Sequence, residues 1–349
     1  MQIGINLLYL IPGKVGGTET YARELIPAML NPADKFYIFC GRETAPTLPS
    51  LPNCQIVTLP IYSSNRLTRI LAEQTILPWL SYKYKLDVIF SLGYSSPFIH
   101  SCPTVVTIHD LNWYYHGEDF SLSSRLMWQL LTRMSAMTAS HIITDSRASA
   151  DSIHQVLGVP TSKVTPILHG TPTTLKVSHQ KPKNPYIFTV LANYPHKNLK
   201  TLLRSFKKIA QSLPKWDLII CGLGKQPSSS DRIKYLGYVS RQELASLYGN
   251  ASVFVFPSAY EGFGYPVLEA MSYGTPVVSS NAFSLKEVVG DAGLLVEAYD
   301  TDSYVDAISS ILSSEKIRAD LVNRGYKRTL ELKWSRTAEL TMKILRGMK

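Results

Sequence analysis

Short apolar runs recur at close intervals along this chain, and stretches with helical periodicity lie between them. Alternation of this kind restricts a chain to parallel sheets covered by helices on both faces. In the first half the expected strands are Gln2–Tyr9, Phe36–Cys40, Gln55–Thr58, Val88–Ser91, Thr104–His109 and His141–Thr144, with helices over Glu19–Leu30, Leu67–Tyr84, Ser123–Ala139 and Ser149–Leu157. The passage TPTTLKVSHQKPKNP, Thr171 to Pro185, has turn-forming composition and no periodicity, which predicts a linker over 173–185. The pattern then restarts. Strands are expected at Tyr186–Leu191, Asp217–Cys221, Ile233–Tyr235, Val253–Pro257, Pro276–Ser279 and Leu294–Val296, and helices at Asn198–Ser212, Arg241–Gly249, Pro266–Tyr273, Ser284–Val289 and Thr301–Ser313. The reading is α/β: two Rossmann-like, doubly wound domains, 1–172 and 186–333, facing a central cleft, with a C-terminal helix in 334–349 that crosses back to the first. Ligands of such sheets bind at the carboxyl ends of the strands.

Composition narrows the function classes. The 349 residues are 45% hydrophobic, enough for two cores, which excludes disorder as the main state. A net charge of +10 comes from 36 Lys+Arg against 26 Asp+Glu, yet only 18% of residues are charged, so the chain is no tail-like polycation. The excess is local: 1–175 carries 12 basic against 11 acidic residues, and 176–234 carries 12 against 2. No aromatic-and-basic nucleic-acid motif accompanies it, so nucleic acid is not an expected partner. Cys40, Cys54, Cys102 and Cys221 lie far apart, without metal spacing, and read as buried thiols in a reducing compartment. The start, MQIGINLLYLIPG, reads as a strand entering a glycine loop rather than a leader, and no run of 18 apolar residues occurs. The expected location is the cytoplasm, with peripheral contact at the inner membrane surface left open.

The most informative string is EGFGYPVLEAMSYGTPVV, Glu261 to Val278, directly after the strand VFVFPS. Glu261 falls on a loop and Glu269, eight residues on, falls two turns down a helix opened by Pro266, with Gly262 and Gly264 allowing close backbone approach. Backbone N–H groups of Phe263, Gly264, Tyr265, Val267 and Leu268 at that helix start could meet phosphate and sugar hydroxyls, and each carboxylate could accept paired hydroxyl hydrogen bonds. Those parts suit a sugar nucleotide.

This string resembles the two-glutamate motif of the retaining, nucleotide-sugar-dependent glycosyltransferases of family 4, whose two domains form the GT-B fold. GKVGGTETYAREL, THDLNWYY, TDSRASADSI and NYPHKNLKTLLRSF match that family's landmarks in order, so the resemblance spans nearly the whole chain. It makes 1–172 the acceptor-side domain and 186–333 the donor domain. It implies that Gly16 and Gly17 offer amides to the donor diphosphate, and that Lys197 contacts the same diphosphate and stabilises it as it leaves, without a metal. His109, with Lys197 and Glu261, forms the catalytic set; its ring is expected to donate to a sugar hydroxyl or orient the acceptor, with Asp110 holding the ring. Asp110, Asn112 and Trp113 are expected on the acceptor side, and Gly222 and Tyr238 near the nucleotide. The family commonly carries an arginine five residues before the lysine or just before it; here those positions are Ala192 and His196, and His196 could stand in as a donor.

The implied reaction is retaining transfer of a hexosyl group to a hydroxyl of a glycan or lipid-linked acceptor in cell-surface polysaccharide synthesis. The nucleoside diphosphate sugar is a substrate, no cofactor or metal is called for, and the PHKN and HDLNWYY forms resemble bacterial O-antigen and exopolysaccharide mannosyltransferases. That favours GDP-mannose, with a UDP-sugar as the alternative donor. A hydrolase, epimerase or phosphorylase of the same fold, or a non-catalytic nucleotide-sugar binder, remain rival readings.

Overall fold

The computed structural model describes residues 1–177, 184–224 and 229–349. The chain divides into two compact units, Met1–Gly170 with Trp334–Lys349, and Thr171–Lys333. Of the expected linker, 178–183 lie outside the described residues. The residues before them are tied to the second unit: Thr171 N–H donates to the Leu332 carbonyl at 2.8 Å and Leu175 N–H to the Tyr273 hydroxyl at 3.0 Å.

The first unit holds β1 (Gln2–Asn6), α1 (Gly17–Met29), β2 (Lys35–Cys40), β3 (Cys54–Thr58), α2 (Arg66–Lys83), β4 (Val88–Ser91), β5 (Thr104–Thr107), α3 (Asn112–Tyr115), α4 (Leu122–Thr138), β6 (His141–Thr144), α5 (Arg147–Leu157) and β7 (Val164–Pro166). Its sheet runs β3-β2-β1-β4-β5-β6-β7, parallel throughout. Strands buried on both faces read as unbroken apolar runs, as β4 and β5 do. The strand β7 was not expected: it has three residues, ends in proline and lies at the sheet edge, where a missing N–H costs least.

The second unit continues with β8 (Tyr186–Val190), α6 (Leu199–Ser212), β9 (Asp217–Cys221), β10 (Ile233–Gly237), α7 (Arg241–Gly249), β11 (Val253–Phe256), α8 (Tyr265–Ser272), β12 (Val277–Ser280), α9 (Leu285–Val289), β13 (Leu294–Val296), α10 (Thr301–Ser313) and α11 (Glu315–Glu331). The order β10-β9-β8-β11-β12-β13 repeats that of the first six strands of the other sheet, with the same reversal beside its first strand. The helix α11 also escaped the sequence reading. Its 17 residues bury only Leu321 and Gly325, so no apolar stripe announces it. The glycine lets α11 approach α8, where Met271 lies against it.

The last helix, α12 (Trp334–Arg346), packs with α1 in the first unit, burying Trp334, Ala338, Met342 and Leu345. Arg346 reaches Asp34 at 2.9 Å, and Asp34 also takes the N-terminal ammonium at 2.7 Å. Of the four thiols, Cys40 and Cys221 are buried, whereas Cys54 and Cys102, expected inside, are half-buried. No helix of the described residues is long and apolar enough to cross a membrane.

Candidate functional site

In the second unit β8 and β11 are neighbours, so the loops leaving their carboxyl ends come together. The loop after β8 turns through Pro195–Lys197 and ends at Asn198, whose left-handed φ of 56° redirects the chain into α6. The Asn198 Nδ2 donates to the carbonyls of Pro257 and Ala298, at 3.1 and 2.5 Å, and its Oδ1 accepts from Thr201. Ala259 N–H donates to the His196 carbonyl at 2.7 Å. These bonds stitch the two loops, and the consequence is an ion pair: Lys197 Nζ lies 2.6 Å from Glu261 Oε1, both side chains mostly buried.

The glutamate loop is held from its other side. Ser284 Oγ donates to the carbonyls of Glu261 and Phe263, at 2.6 and 3.1 Å. Gly264, at φ 107°, opens α8, and a Cβ there would stand 2.6 Å from Leu285 Cδ2. Because α8 begins at Tyr265, Glu269 sits about one turn into it rather than two. Its carboxylate accepts from the Tyr248 hydroxyl at 2.9 Å, and burial raises its pKa. The expected row of helix-start donors is shorter than read: Val267 N–H is spent on the Gly264 carbonyl, because the first turn closes tightly. Val267 and Leu268 are fully buried, and Phe263 packs edge-on against Tyr265 at 5.1 Å.

His196 is buried and stacks on Tyr194 at 5.6 Å, so its ring packs the loop, and Lys197 is the cation this loop presents. Tyr238 is exposed beside Gly224. Gly222, at φ 90°, donates its N–H to Gly237 at 2.8 Å, and a Cβ there would meet the Leu191 carbonyl oxygen at 2.8 Å. Gly222→Ala is therefore expected to cost about 1 to 3 kcal/mol, read as a lower midpoint in thermal unfolding.

In the first unit the strand ends gather a different set. The register Thr107 to Ile143 places His109 and Asp145, each two residues further on, at the same level. His109 Nδ1 is 2.9 and 3.0 Å from the two Asp145 oxygens, and Nε2 is 3.0 Å from the Leu92 carbonyl. With an acceptor at each nitrogen, the ring is satisfied as an imidazolium. His169, beyond β7, puts Nε2 2.9 Å from Asp145 Oδ1 and lies between Tyr21 and Trp334, at 4.5 and 5.7 Å. Burial alone would lower the pKa of His109, but Asp145 outweighs it and raises it; burial lowers that of His169. Burial would raise Asp145, yet the two imidazoles hold it well below the usual carboxylate range. The ligand atoms of His109, Asp145 and His169 lie within 4.8 Å of one another and could hold a metal ion, although these hydrogen bonds already occupy them.

Three expectations are corrected here. Asp145, not Asp110, holds the His109 ring; Asp110 accepts from Asn112 N–H and the Tyr94 hydroxyl, and burial raises its pKa. Both His109 nitrogens are committed within the unit, to Asp145 and to the Leu92 carbonyl, so the ring has no spare donor. Trp113 packs in the core with Ile108 and Ile142 instead of presenting a face to a sugar, because α3 turns it inward; Tyr114 is exposed beside it. The buried Trp113 Nε1 and Asn112 Oδ1 have no hydrogen-bond partner among the described residues. Gly16 and Gly17 are exposed at the start of α1, an N-terminus suited to an anion. There Glu19 turns aside, accepting from Gly13 N–H and Arg23 at 2.7 Å each.

The chain matches the family model Glycosyltransferase Family 4 over residues 15–175 and the model Glycosyl transferases group 1 over 172–328. It is 28% identical over 327 residues to the O-antigen chain mannosyltransferase RfbU of Salmonella typhimurium, covering 88% of this chain and 90% of that one. It is 30% identical over 246 residues to the MMP alpha-(1->4)-mannosyltransferase of Mycolicibacterium hassiacum, covering 66% of this chain and 57% of that one. Among solved structures, the sucrose-phosphate synthase of Thermosynechococcus elongatus superposes with a TM-score of 0.76 at 22% identity, over 99% of this chain and 98% of that one. HepE of Anabaena, solved in complex with UDP and glucose, gives 0.74 at 18% identity over 99% of both chains. With two successive glycosyltransferase models covering nearly all of its length and two Rossmann-like units of matching fold, this chain belongs to the family 4 glycosyltransferases of the GT-B fold.

Proposed function

We propose that this glycosyltransferase moves a mannosyl group from GDP-mannose to a hydroxyl of a glycan or lipid-linked acceptor, with retention at the anomeric carbon. The observation that carries the reading is the Lys197–Glu261 pair. In the free protein the two charges satisfy each other. An arriving diphosphate competes for Lys197, and the carboxylate so released accepts hydrogen bonds from the donor's sugar hydroxyls. Lys197 then faces the diphosphate as negative charge develops on it, where stabilisation speeds the reaction most. This assigns charge neutralisation to a side chain and calls for neither metal nor cofactor; turnover in excess chelator is expected to match the untreated rate.

Glu261 is engaged by Lys197 and Glu269 by Tyr248, so the reading keeps both for binding and not for a glycosidase-like double displacement. The acceptor's proton passes to the leaving phosphate oxygen on the face that the acceptor attacks, and the protein contributes alignment and charge. Mannose rests on the mannosyltransferase relatives; the UDP and glucose held by HepE make UDP-sugars the alternative donors. The four free thiols suit a reducing, cytoplasmic setting.

A thermal-shift panel of GDP-mannose and UDP-sugars tests the donor. GDP-mannose is expected to raise the unfolding midpoint most, with a stabilisation of about 2.7 kcal/mol at a hundredfold excess over its Kd. NMR of the product should show a new glycoside with the donor's anomeric configuration. Free mannose, mannose 1-phosphate or an epimer as the product would instead support a hydrolase, phosphorylase or epimerase.

A further inference from the structure

The loop that leaves β4 is held in a conformation its residues would not adopt alone. Tyr94 sits at φ 54°, in the left-handed region that bulky side chains avoid, and such a residue persists only where its surroundings over-determine it. Its N–H donates to the Thr107 carbonyl at 2.8 Å, and a Cβ on the preceding Gly93 would stand 2.5 Å from the Tyr9 ring. The residues just after it are gripped by two neighbouring side chains of α2. Glu73 Oε2 accepts from Ser95 Oγ at 2.9 Å. Gln74 Nε2 donates to the Ser96 carbonyl at 3.1 Å, and its Oε1 accepts from Phe98 N–H at 2.9 Å.

The same loop holds His109 and Asp110, which follow β5. The Leu92 carbonyl accepts from His109 Nε2 at 3.0 Å, and the Tyr94 hydroxyl donates to Asp110 at 3.2 Å. The Tyr94 ring also stands edge-on to the His109 ring, 5.2 Å away. A short stretch of chain thus ties α2 to both residues. Glu73 is the one acid in α2, and it is buried, a costly placement that marks a carboxyl with a task. Burial raises it to about 7, although Ser95, Arg69 and Asn6 each pull it down. Arg69, one turn back on α2, is the charged group that faces it; the loop and β1 face it with the neutral Ser95 and Asn6. Near neutral pH the acid and the carboxylate are both populated, so an amide of the same shape can take its place.

We propose that Glu73 and Gln74 are positioning residues for glycosyl transfer, holding the loop after β4 so that Leu92 and Tyr94 fix His109 and Asp110 for the acceptor. The inference rests on the reading that puts His109 in the reaction and Asp110 on the acceptor side. Lys197 and Glu261, read as the donor's contacts, belong to the other unit, so the clamp acts on the acceptor step and leaves donor affinity alone.

The test compares Glu73→Ala, Gln74→Ala and Glu73→Gln in the full chain, with rates taken per folded molecule, GDP-mannose as donor and octyl α-mannoside as the acceptor probe. Both alanine variants are expected to lower kcat over acceptor KM by about 10- to 100-fold, the scale set by small misplacements remote from the chemistry. The Kd for GDP should stay at the wild-type value, and Glu73→Gln should recover most of the loss. A second readout needs no turnover. The Leu92 carbonyl helps Asp145 outweigh burial and raise the His109 pKa, so a loosened loop should lower it, as seen by titrating the ring nitrogens by 15N NMR. Should Glu73→Ala fold poorly, Gln74→Ala carries the test, because it strands no acid. An unmoved His109 titration in the alanine variants would overturn the clamp. Wild-type kinetics beside a moved titration, or a GDP affinity that falls with the rate, would overturn the positioning role. A wild type that transfers to no mannoside would count against the proposed function instead, and the ring titration would still decide the clamp.

Discussion

Lys197→Ala is expected to lower kcat for glycosyl transfer by about 100- to 1,000-fold, the loss usual when one group aimed at developing negative charge is removed. The unfolding midpoint should fall as well, because the mostly buried Glu261 carboxylate loses its partner, so rates are compared on folded protein. Glu261→Ala should cost a similar factor through a different parameter, raising KM for the donor as well as lowering kcat, since the carboxylate is read as a contact to sugar hydroxyls. The double variant is expected to lose less than the product of the two, because each residue restrains the other in the free protein. Steady-state kinetics of the three variants, with circular dichroism to establish folding, decides the matter. Wild-type rates in either single variant would remove the ion pair from the mechanism.

Asp145→Ala should have the largest effect on stability. It leaves two buried imidazoles without their shared carboxylate, and breaking a buried pair in this way costs about 3 kcal/mol or more, or roughly 6 to 12 °C in Tm for a unit of this size. The pH dependence follows from the directions of the shifts. Asp145 is held low, so its contribution is present above the ordinary carboxylate pKa and is lost as pH falls toward its folded value. His169 is also lowered; its stabilising neutral form is favoured above roughly 6.5 and lost on acidification below that. His109 is raised, so its contribution is present below roughly 6.5 and fades as pH rises through its folded pKa. The wild type should therefore lose stability on both sides of neutrality, and Asp145→Ala should flatten both limbs. Unfolding midpoints measured across the pH range test this, and an unchanged profile would show that the trio carries no such charge.

How much of this could be read from the residues depends on how far each depends on its neighbours in space. Twelve of the thirteen strands among the described residues fall on expected runs, most plainly those buried along their whole length, as β4, β5, β11 and β12 are. The glutamate loop and the lysine loop were both legible as motifs, but their meeting was not. It rests on β8 and β11 being adjacent and on Asn198 at a positive φ, and the only trace of this in the string is an asparagine before a helix. Asp145 and His169 were missed for the same reason: they lie 36 and 60 residues beyond His109, and only strand register brings the three together. Asp110, next to His109 in sequence, drew the role that belongs to Asp145. Trp113 was misjudged because an aromatic in a loop motif reads alike whether it lines a site or fills a core.

The docking of α12 against α1 bears on how the polypeptide matures during translation. The first unit is discontinuous in the chain, with Trp334–Lys349 joining it after Thr171–Lys333 has been made. On the ribosome, Tyr21 and His169 must wait for Trp334 to cover them until the second unit has already emerged. The segment synthesised first is therefore the last to be sealed, and a nascent chain stalled before its final helix would expose the underside of α1 to aggregation or to chaperones.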